Sequence, residues 1–326
     1  MAHLKPVVSV ICISYNHENY ISAALESVAN QTYTSIELIV VDNNSTDRTL
    51  ERIQDFVRRN PATKLILNSS NLGVCRAFNQ GLALASGRYV IDLSADDVLH
   101  PERVARQVAA FERLPDDYAV VFSNAAFINQ RNELTGYHYP ITERKTAAVS
   151  VPSGWVFRDV LASYFVCTPT MMMRKDVLDH LGGYDESLAY EDFDFWVRTA
   201  RHYRYHYLDE VLTSKRILSG SLSGQFAKPG NPLLESTLSV CYKAFDQCQT
   251  PEEYSALARR IRWFIRQCFY AQEYELAEKY RKLLSFMEEP DWLTNSILRL
   301  CRWRVPVNGL YNRYLRLRKA WDQSML

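Results

Sequence analysis

Short apolar runs alternate with segments whose apolar residues recur at helical spacing over most of the first two thirds of the chain. Val7–Ile13 is rich in β-branched residues, as an interior parallel strand requires, and it ends on the polar turn Ser14-Tyr15-Asn16-His17. Ile21, Ala24, Leu25 and Val28 then fall on one helical face. Ile36–Val41 forms a second run, ending on Asp42-Asn43-Asn44-Ser45-Thr46-Asp47, and the next helix carries Leu50, Ile53, Phe56 and Val57 inward. Lys64–Leu67 is a third strand, closed by Asn71-Leu72-Gly73 and followed by a helix over 74–85. Tyr89-Val90-Ile91-Asp92-Leu93 is a fourth, delivering Ser94-Ala95-Asp96-Asp97 just past its end. Four strand–helix repeats predict an α/β fold with a mostly parallel sheet and helices on both faces.

Further strands are predicted at Ala119–Ser123 and Tyr203–Leu208, after a helix with Val104, Val108 and Phe111. Residues 124–170 lose periodicity and suit a substrate-facing segment; Lys215–Ser223 reads as a loop and 224–232 as a linker. Beyond it the pattern is helical. Thr250-Pro251-Glu252-Glu253 is a capping box with proline at the first helical position, opening a helical hairpin over 251–285. The expected organisation is an α/β domain over 1–223, a linker and first extension helix over 224–250, and a helical region over 251–326.

With 326 residues, 47% of them hydrophobic, the chain can bury a large core. The net charge of +1 gives no whole-chain reason to expect a nucleic-acid partner. Seven scattered cysteines without a C-x-x-C pair suggest neither zinc nor a disulfide framework, and a reducing, cytoplasmic setting is expected. A first strand starting at Val7 leaves no room for a secretory signal, and no stretch reaches the ~18 apolar residues of a membrane span. The tail over 298–321 interleaves arginines with Trp303, Tyr311, Tyr314 and Trp321. Such sequence fits peripheral contact with the inner face of an anionic membrane, or an ordinary helix with solvated arginines. The hairpin is a candidate packing or homo-oligomer surface.

The candidate chemistry lies at the strand exits. Ligands of open α/β sheets sit beyond the carboxyl ends of the strands, and adjacent carboxylates repel unless a cation or ligand sits there. Asp96 and Asp97 therefore suggest a hard divalent cation; the alternative is a solvated helix start near Pro101. Glu191 and Asp192, in Tyr190-Glu191-Asp192-Phe193, open a helix either as functional acids or as surface acids facing its dipole. No G-x-G-x-x-G or P-loop pattern occurs, which argues against a dinucleotide or Walker-type site.

Over about residues 6–223 the chain resembles the family 2 glycosyltransferases, an inverting group with the GT-A fold. Asp42–Asp47 is similar to the D-D-x-S-x-D turn, and Asn71–Gly81 to N-x-G-x-x-x-A-x-N-x-G. Ser94–Asp97 resembles the D-x-D region, Gly182-Gly183-Tyr184-Asp185 the G-G-[FY]-D turn, and Glu191-Asp192 the E-D pair. The resemblance implies nucleotide contacts from Ser14, Tyr15, Asn16, Asp42, Asn44, Asn71, Gly73, Arg76, Ala95 and Asp96, with Asp42 accepting the N3–H of uracil or thymine. It implies Mn²⁺ or Mg²⁺ at Asp96 with Asp97 nearby, and catalysis by Asp192 as general base beside Glu191. The expected reaction moves a sugar from a UDP- or dTDP-sugar to a hydroxyl of a saccharide or lipid-linked acceptor, in bacterial surface-polysaccharide synthesis. Ser94 replaces the first acid of D-x-D, and Arg216-Ile217-Leu218 stands where the family often has R-x-H. Leu218 offers no ligand atom, so water, Ser219 or the phosphates would complete the shell, or Arg216 would neutralise the phosphates. Two other readings are a non-catalytic nucleotide- or partner-binding module and a nucleotidyltransferase. The second lacks the glycine-rich basic loop it would need after the first strand.

Overall fold

A computed structural model describes residues 6–218, 226 and 228–324, with the side chains of the last helix described as far as Leu315 and at Leu317. The chain divides into two compact units, Met1–Val160 with Tyr164–Leu218, and Leu161–Ser163 with Ser219–Leu326. The expected domain boundary at 223 and Ser219 lie outside the described residues.

In the first unit the predicted repeats appear as β1 (Val8–Ser14), α1 (Ile21–Ala29), β2 (Ile36–Asp42), α2 (Thr49–Arg59), β3 (Lys64–Leu67), α3 (Val74–Leu84) and β4 (Tyr89–Ser94). β1 pairs in parallel with β2 and β4, and β2 with β3. All seven residues of β1 are buried, as expected of a strand covered on both faces. Val8, Val10 and Cys12 pack with Ile21, Leu25 and Phe56 on one side. Ile11 meets α3 on the other, where a Cβ on Gly81 would come within 2.5 Å of its Cγ2.

Beyond β4 the sheet is mixed rather than parallel. β5 (Val98–Leu99), α4 (Arg103–Phe111), β6 (Tyr118–Ile128) and β7 (Leu134–Tyr137) are followed by α5 (Phe157–Ala162), a 3₁₀ turn (Thr168–Thr170), β8 (Met172–Arg174), α6 (Lys175–His180), α7 (Asp192–Ala200) and β9 (Arg204–Arg216). The strand order is β3-β2-β1-β4-β8-β6-β9-β5, with β7 on β6. Three-residue β8 runs antiparallel to both β4 and β6, so it reverses direction at the sheet centre without a crossover helix. The strand expected over Tyr203–Leu208 continues to Arg216, and the loop expected from Lys215 is a correction. Its first two residues pair with Phe127 and Ile128 of β6. Polar residues hid this strand end because one of its faces points into a polar site.

In the second unit, α8 (Leu233–Gln247), α9 (Pro251–Ala271), α10 (Tyr274–Leu284), α11 (Trp292–Arg302) and α12 (Asn308–Ser324) follow one another. The capping box is present: Thr250 Oγ1 accepts from Glu253 N at 3.3 Å, and Glu253 accepts from Thr250 N at 3.2 Å. Phe264 stacks on Tyr280 at 5.6 Å, and the Tyr280 hydroxyl donates to the Leu234 carbonyl at 2.6 Å. All seven cysteines are free and buried. Among the described residues no helix is long and apolar enough to cross a membrane.

Gly81→Ala separates packing from propensity. In an open helix the change would stabilise by about 1 kcal/mol, but Ile11 is a stiff β-branched neighbour, and overpacking costs about 1–3 kcal/mol. Denaturant unfolding should show net destabilisation; a stabilised variant would contradict the close approach.

Candidate active site

The parallel pairing sets the site's floor. Ser14 lies opposite Asp42, Asp42 opposite Leu67, and Ile13 opposite Ser94, so the strand exits end in one row. Ser14 Oγ donates to Asp42 Oδ1 at 3.2 Å, and Ser45 donates to the same carboxylate through its hydroxyl (2.6 Å) and backbone N–H (3.1 Å). The buried Asp42 side chain is thus fixed before any ligand arrives. Asn16 and Asn44 both adopt positive φ (57° and 67°), a conformation asparagine tolerates. Asn16 Oδ1 accepts from Thr46 N at 2.8 Å, Glu18 N donates to Asp47 at 3.0 Å, and His17 N donates to Thr49 at 2.8 Å. These bonds fasten the two exit loops together, leaving Tyr15 42% exposed above them.

Asn71, Gly73 and Arg76 serve the neighbouring loops. Asn43 Nδ2 donates to Asn71 Oδ1 at 2.9 Å and its Oδ1 accepts from Leu72 N at 3.0 Å. Arg76 pairs with Glu186 at 3.0 Å. Asn79 Oδ1 accepts from Tyr184 N at 2.9 Å and its Nδ2 donates to the Tyr184 carbonyl at 2.8 Å. Gly183 (φ 79°) admits that approach, since a Cβ there would strike Asn79. Phe78 stacks on Tyr184 at 4.1 Å.

Asp96 and Asp97 are not a solvated helix start. They precede β5, Ala95 is fully buried with its N–H on the Ile13 carbonyl, and α4 begins only at Arg103. Ser94 donates to Asp96, whose carboxylate remains partly exposed. Asp97 turns inward, 2% exposed, with Oδ1 accepting from Arg216 N at 2.8 Å. Burial, then the charge of Asp96, pushes its carboxyl up to about 8. The Arg216 guanidinium donates to the carbonyls of Asp96 (3.0 Å) and Asn129 (2.7 Å) and lies 4.6 Å from the Tyr20 ring centroid. Two of its three nitrogens, Nε and Nη1, are therefore taken by the protein's own oxygens.

Asp192 is the first residue of α7, and Glu191 precedes it. Asp192 accepts from Thr168 Oγ1 at 3.1 Å and from Phe193 N at 2.6 Å. Burial, then the charges of Asp192 and Asp92, holds Glu191 well above the carboxylate range. Sequence reasoning assigned no role to Asp92, Thr168 or Lys215. Asp92 shares the site-facing side of β4 with Ser94 and accepts from the Tyr184 hydroxyl at 3.2 Å. Burial pushes it up to about 7, with that hydroxyl opposing the shift. An acid inside an apolar strand run was the available signal. Among the described residues no three His, Cys, Asp or Glu side chains gather into a metal cluster.

The profile of the Glycosyl transferase family 2 matches residues 9–182. An uncharacterized glycosyltransferase of Methanocaldococcus jannaschii is 30% identical over 221 residues, covering 65% of this chain and 71% of that protein. Chondroitin synthase of Escherichia coli is 27% identical over 218 residues, covering 66% of this chain and 29% of the synthase. The crystal structure of S. aureus TarS 1-349 in complex with UDP-GlcNAc superposes with a TM-score of 0.67 at 17% identity, covering 94% of this chain and 92% of that one. The fold is thus the GT-A fold expected, and the chain belongs to glycosyl transferase family 2. It spans between 61% and 71% of the length of the first four curated relatives it matches.

Carboxyls with raised pKa values bind more protons in the folded than in the unfolded chain, so stability falls as pH rises from about 4 to about 8. Asp92→Asn keeps an acceptor for Tyr184 and removes one such proton. Its melting temperature should fall less steeply than wild type across that window; parallel curves would contradict the raised Asp92 carboxyl.

Proposed function

We propose that the protein transfers a sugar, with inversion, from a UDP- or dTDP-sugar to a hydroxyl of a saccharide or lipid-linked acceptor, in surface-polysaccharide synthesis. The observation that supports this best is geometric. The Tyr184 hydroxyl donates to Asp92 of β4 at 3.2 Å, and its ring meets that of Phe195, on the helix that Asp192 opens, edge-on at 5.9 Å, as expected if donor and base share one cleft. The fixed Asp42 carboxylate suits the N3–H of a pyrimidine, with Ser14, Tyr15, Asn16, Asn44, Asn71, Gly73, Arg76 and Ala95 forming or bracing the nucleotide pocket.

In this reading the acceptor oxygen attacks the anomeric carbon as the bond from that carbon to the phosphate oxygen breaks. The acceptor proton passes to Asp192, and the nucleoside diphosphate departs with the bonding electrons. Burial and the charge of Asp192 push the Glu191 carboxyl upward, so the two neighbouring acids are held in different environments, as division of their roles requires. Thr168 holds the base from one side while α7 fixes its backbone. The half-exposed Asp96 carboxylate, oriented by Ser94, fits Mn²⁺ or Mg²⁺ arriving with a diphosphate, since such ions take one or two carboxylates plus phosphate oxygens. When bound, that cation supplies Lewis-acid stabilisation of the leaving group. Asp97, turned inward, supports this site from behind.

Asp192→Asn should cut transfer about 10²–10⁴-fold while UDP binding, read by calorimetry, stays within twofold. Retained transfer would remove the base assignment. Wild-type nucleotide binding without transfer or donor hydrolysis, Mn²⁺ included, would favour the non-catalytic module.

The helical unit supports membrane contact. Trp292, Trp303, Leu310 and Leu317 are 79%, 74%, 71% and 64% exposed, beside exposed Arg299, Arg302 and Arg313. Exposed tryptophan among basic residues suits an anionic interface. Co-sedimentation should occur with vesicles containing phosphatidylglycerol, not with pure phosphatidylcholine, and weaken in Trp292→Ala/Trp303→Ala. Equal binding to both vesicles, or to neither, would refute it.

A further inference from the structure

Among the described residues, Arg76, Arg103, Arg198 and Arg216 around the acidic cleft all have partners, and Lys215 does not. Arg103 is fully buried and its three nitrogens donate to Gln107, Thr213 and the Met171 carbonyl at 2.9–3.1 Å. Arg198 donates to Asp194 and to the carbonyls of Leu181 and Gly183 at 2.7–3.0 Å. Arg76 is paired with Glu186, and Arg216 with the Asp96 and Asn129 carbonyls. Lys215 differs: among the described residues its ammonium makes no ion pair or hydrogen bond.

Its place on the strand is nevertheless fixed. Lys215 lies in the β9 register opposite Phe127, and the very next backbone N–H donates to Asp97. The side chain is half-buried, and its charge is felt by Asp97, Cys167, Glu191 and His138, groups from four separate segments. A cation carried on the strand that bonds Asp97, with no counter-ion among the described residues, is arranged for an anion that arrives from outside.

We infer that the Lys215 ammonium is the protein's own cation for the diphosphate of the donor, so that a nucleoside diphosphate binds without any divalent metal. Lysine is a strongly hydrated point charge suited to phosphate oxygens. Placed beside Asp97, it offsets charge at the edge of the cleft where Leu218 supplies no metal ligand. As the glycosyl–phosphate bond breaks, the negative charge left on the diphosphate develops next to this ammonium. The inference rests on the nucleotide-sugar reading above.

The test is calorimetric titration of UDP and of uridine into the full chain in EDTA, comparing wild type with Lys215→Met and Lys215→Arg. The expected result is metal-free UDP binding by wild type, about tenfold or more weaker in Lys215→Met, as loss of a charged hydrogen bond implies, and restored in part by Lys215→Arg. Uridine, which lacks the diphosphate, should bind wild type and Lys215→Met alike. UDP binding by wild type only with Mn²⁺, equal UDP binding by Lys215→Met, or matching losses for UDP and uridine would overturn the role of Lys215 and leave the nucleotide-sugar reading standing. If wild type ignores UDP, dTDP and GDP with Mn²⁺ present as well, the nucleotide-sugar reading itself falls, and this inference with it.

Discussion

Carboxylates crowded into a buried and half-buried place are the constraint on which the first unit's organisation depends. Asp92, Asp97 and Glu191 are all pushed upward by burial, and two of the three also by a neighbouring acid. Three charged carboxylates there would cost several kcal/mol of desolvation and repulsion. The structure offsets this with the Tyr184 hydroxyl on Asp92, the Arg216 N–H on Asp97, and protons retained near neutral pH. A core built for stability alone would not accumulate such groups; sites that handle protons and phosphates do.

The elements around the acids exist to hold them. The parallel register aligns the exits of β1, β2 and β4, and hydrogen bonds between side chains and backbone fasten their loops. The Gly182–Gly183 turn brings Tyr184 under Asp92 and ties it to Asn79 of α3. One motif thereby braces another that lies about a hundred residues away. Short β8 and long β9 place α7 and Lys215 against the same sheet, which is why the mixed half of the sheet carries the second acidic motif.

Much of this was legible in the sequence because hydrophobic periodicity is local. Ile21, Ala24, Leu25 and Val28 are the buried face of α1, as their spacing requires, and the Thr250 box caps α9 as read. The acids at 42, 96 and 192 stood out by their place at strand or helix ends. What stayed hidden was non-local. The end of β9 looked like a loop because Ser214, Lys215 and Arg216 are polar, although strand pairing with β6 orders them. Arg216, a candidate phosphate partner by sequence, gives two of its nitrogens to backbone carbonyls on elements distant in the chain. Asp92 is hidden inside an apolar run, and its meaning depends on Tyr184, ninety-two residues on.

The central claim is that one cleft holds a nucleoside diphosphate between Asp96 and Lys215, with Asp192 on the far side of the sugar. A crystal structure with UDP and Mn²⁺ measures this directly. The uracil N3 is expected within hydrogen-bond distance of Asp42, the diphosphate at Asp96 and Lys215, and Asp192 facing the empty sugar position. A diphosphate bound away from Asp96, or an Asp192 carboxylate opening onto a different surface, would contradict it.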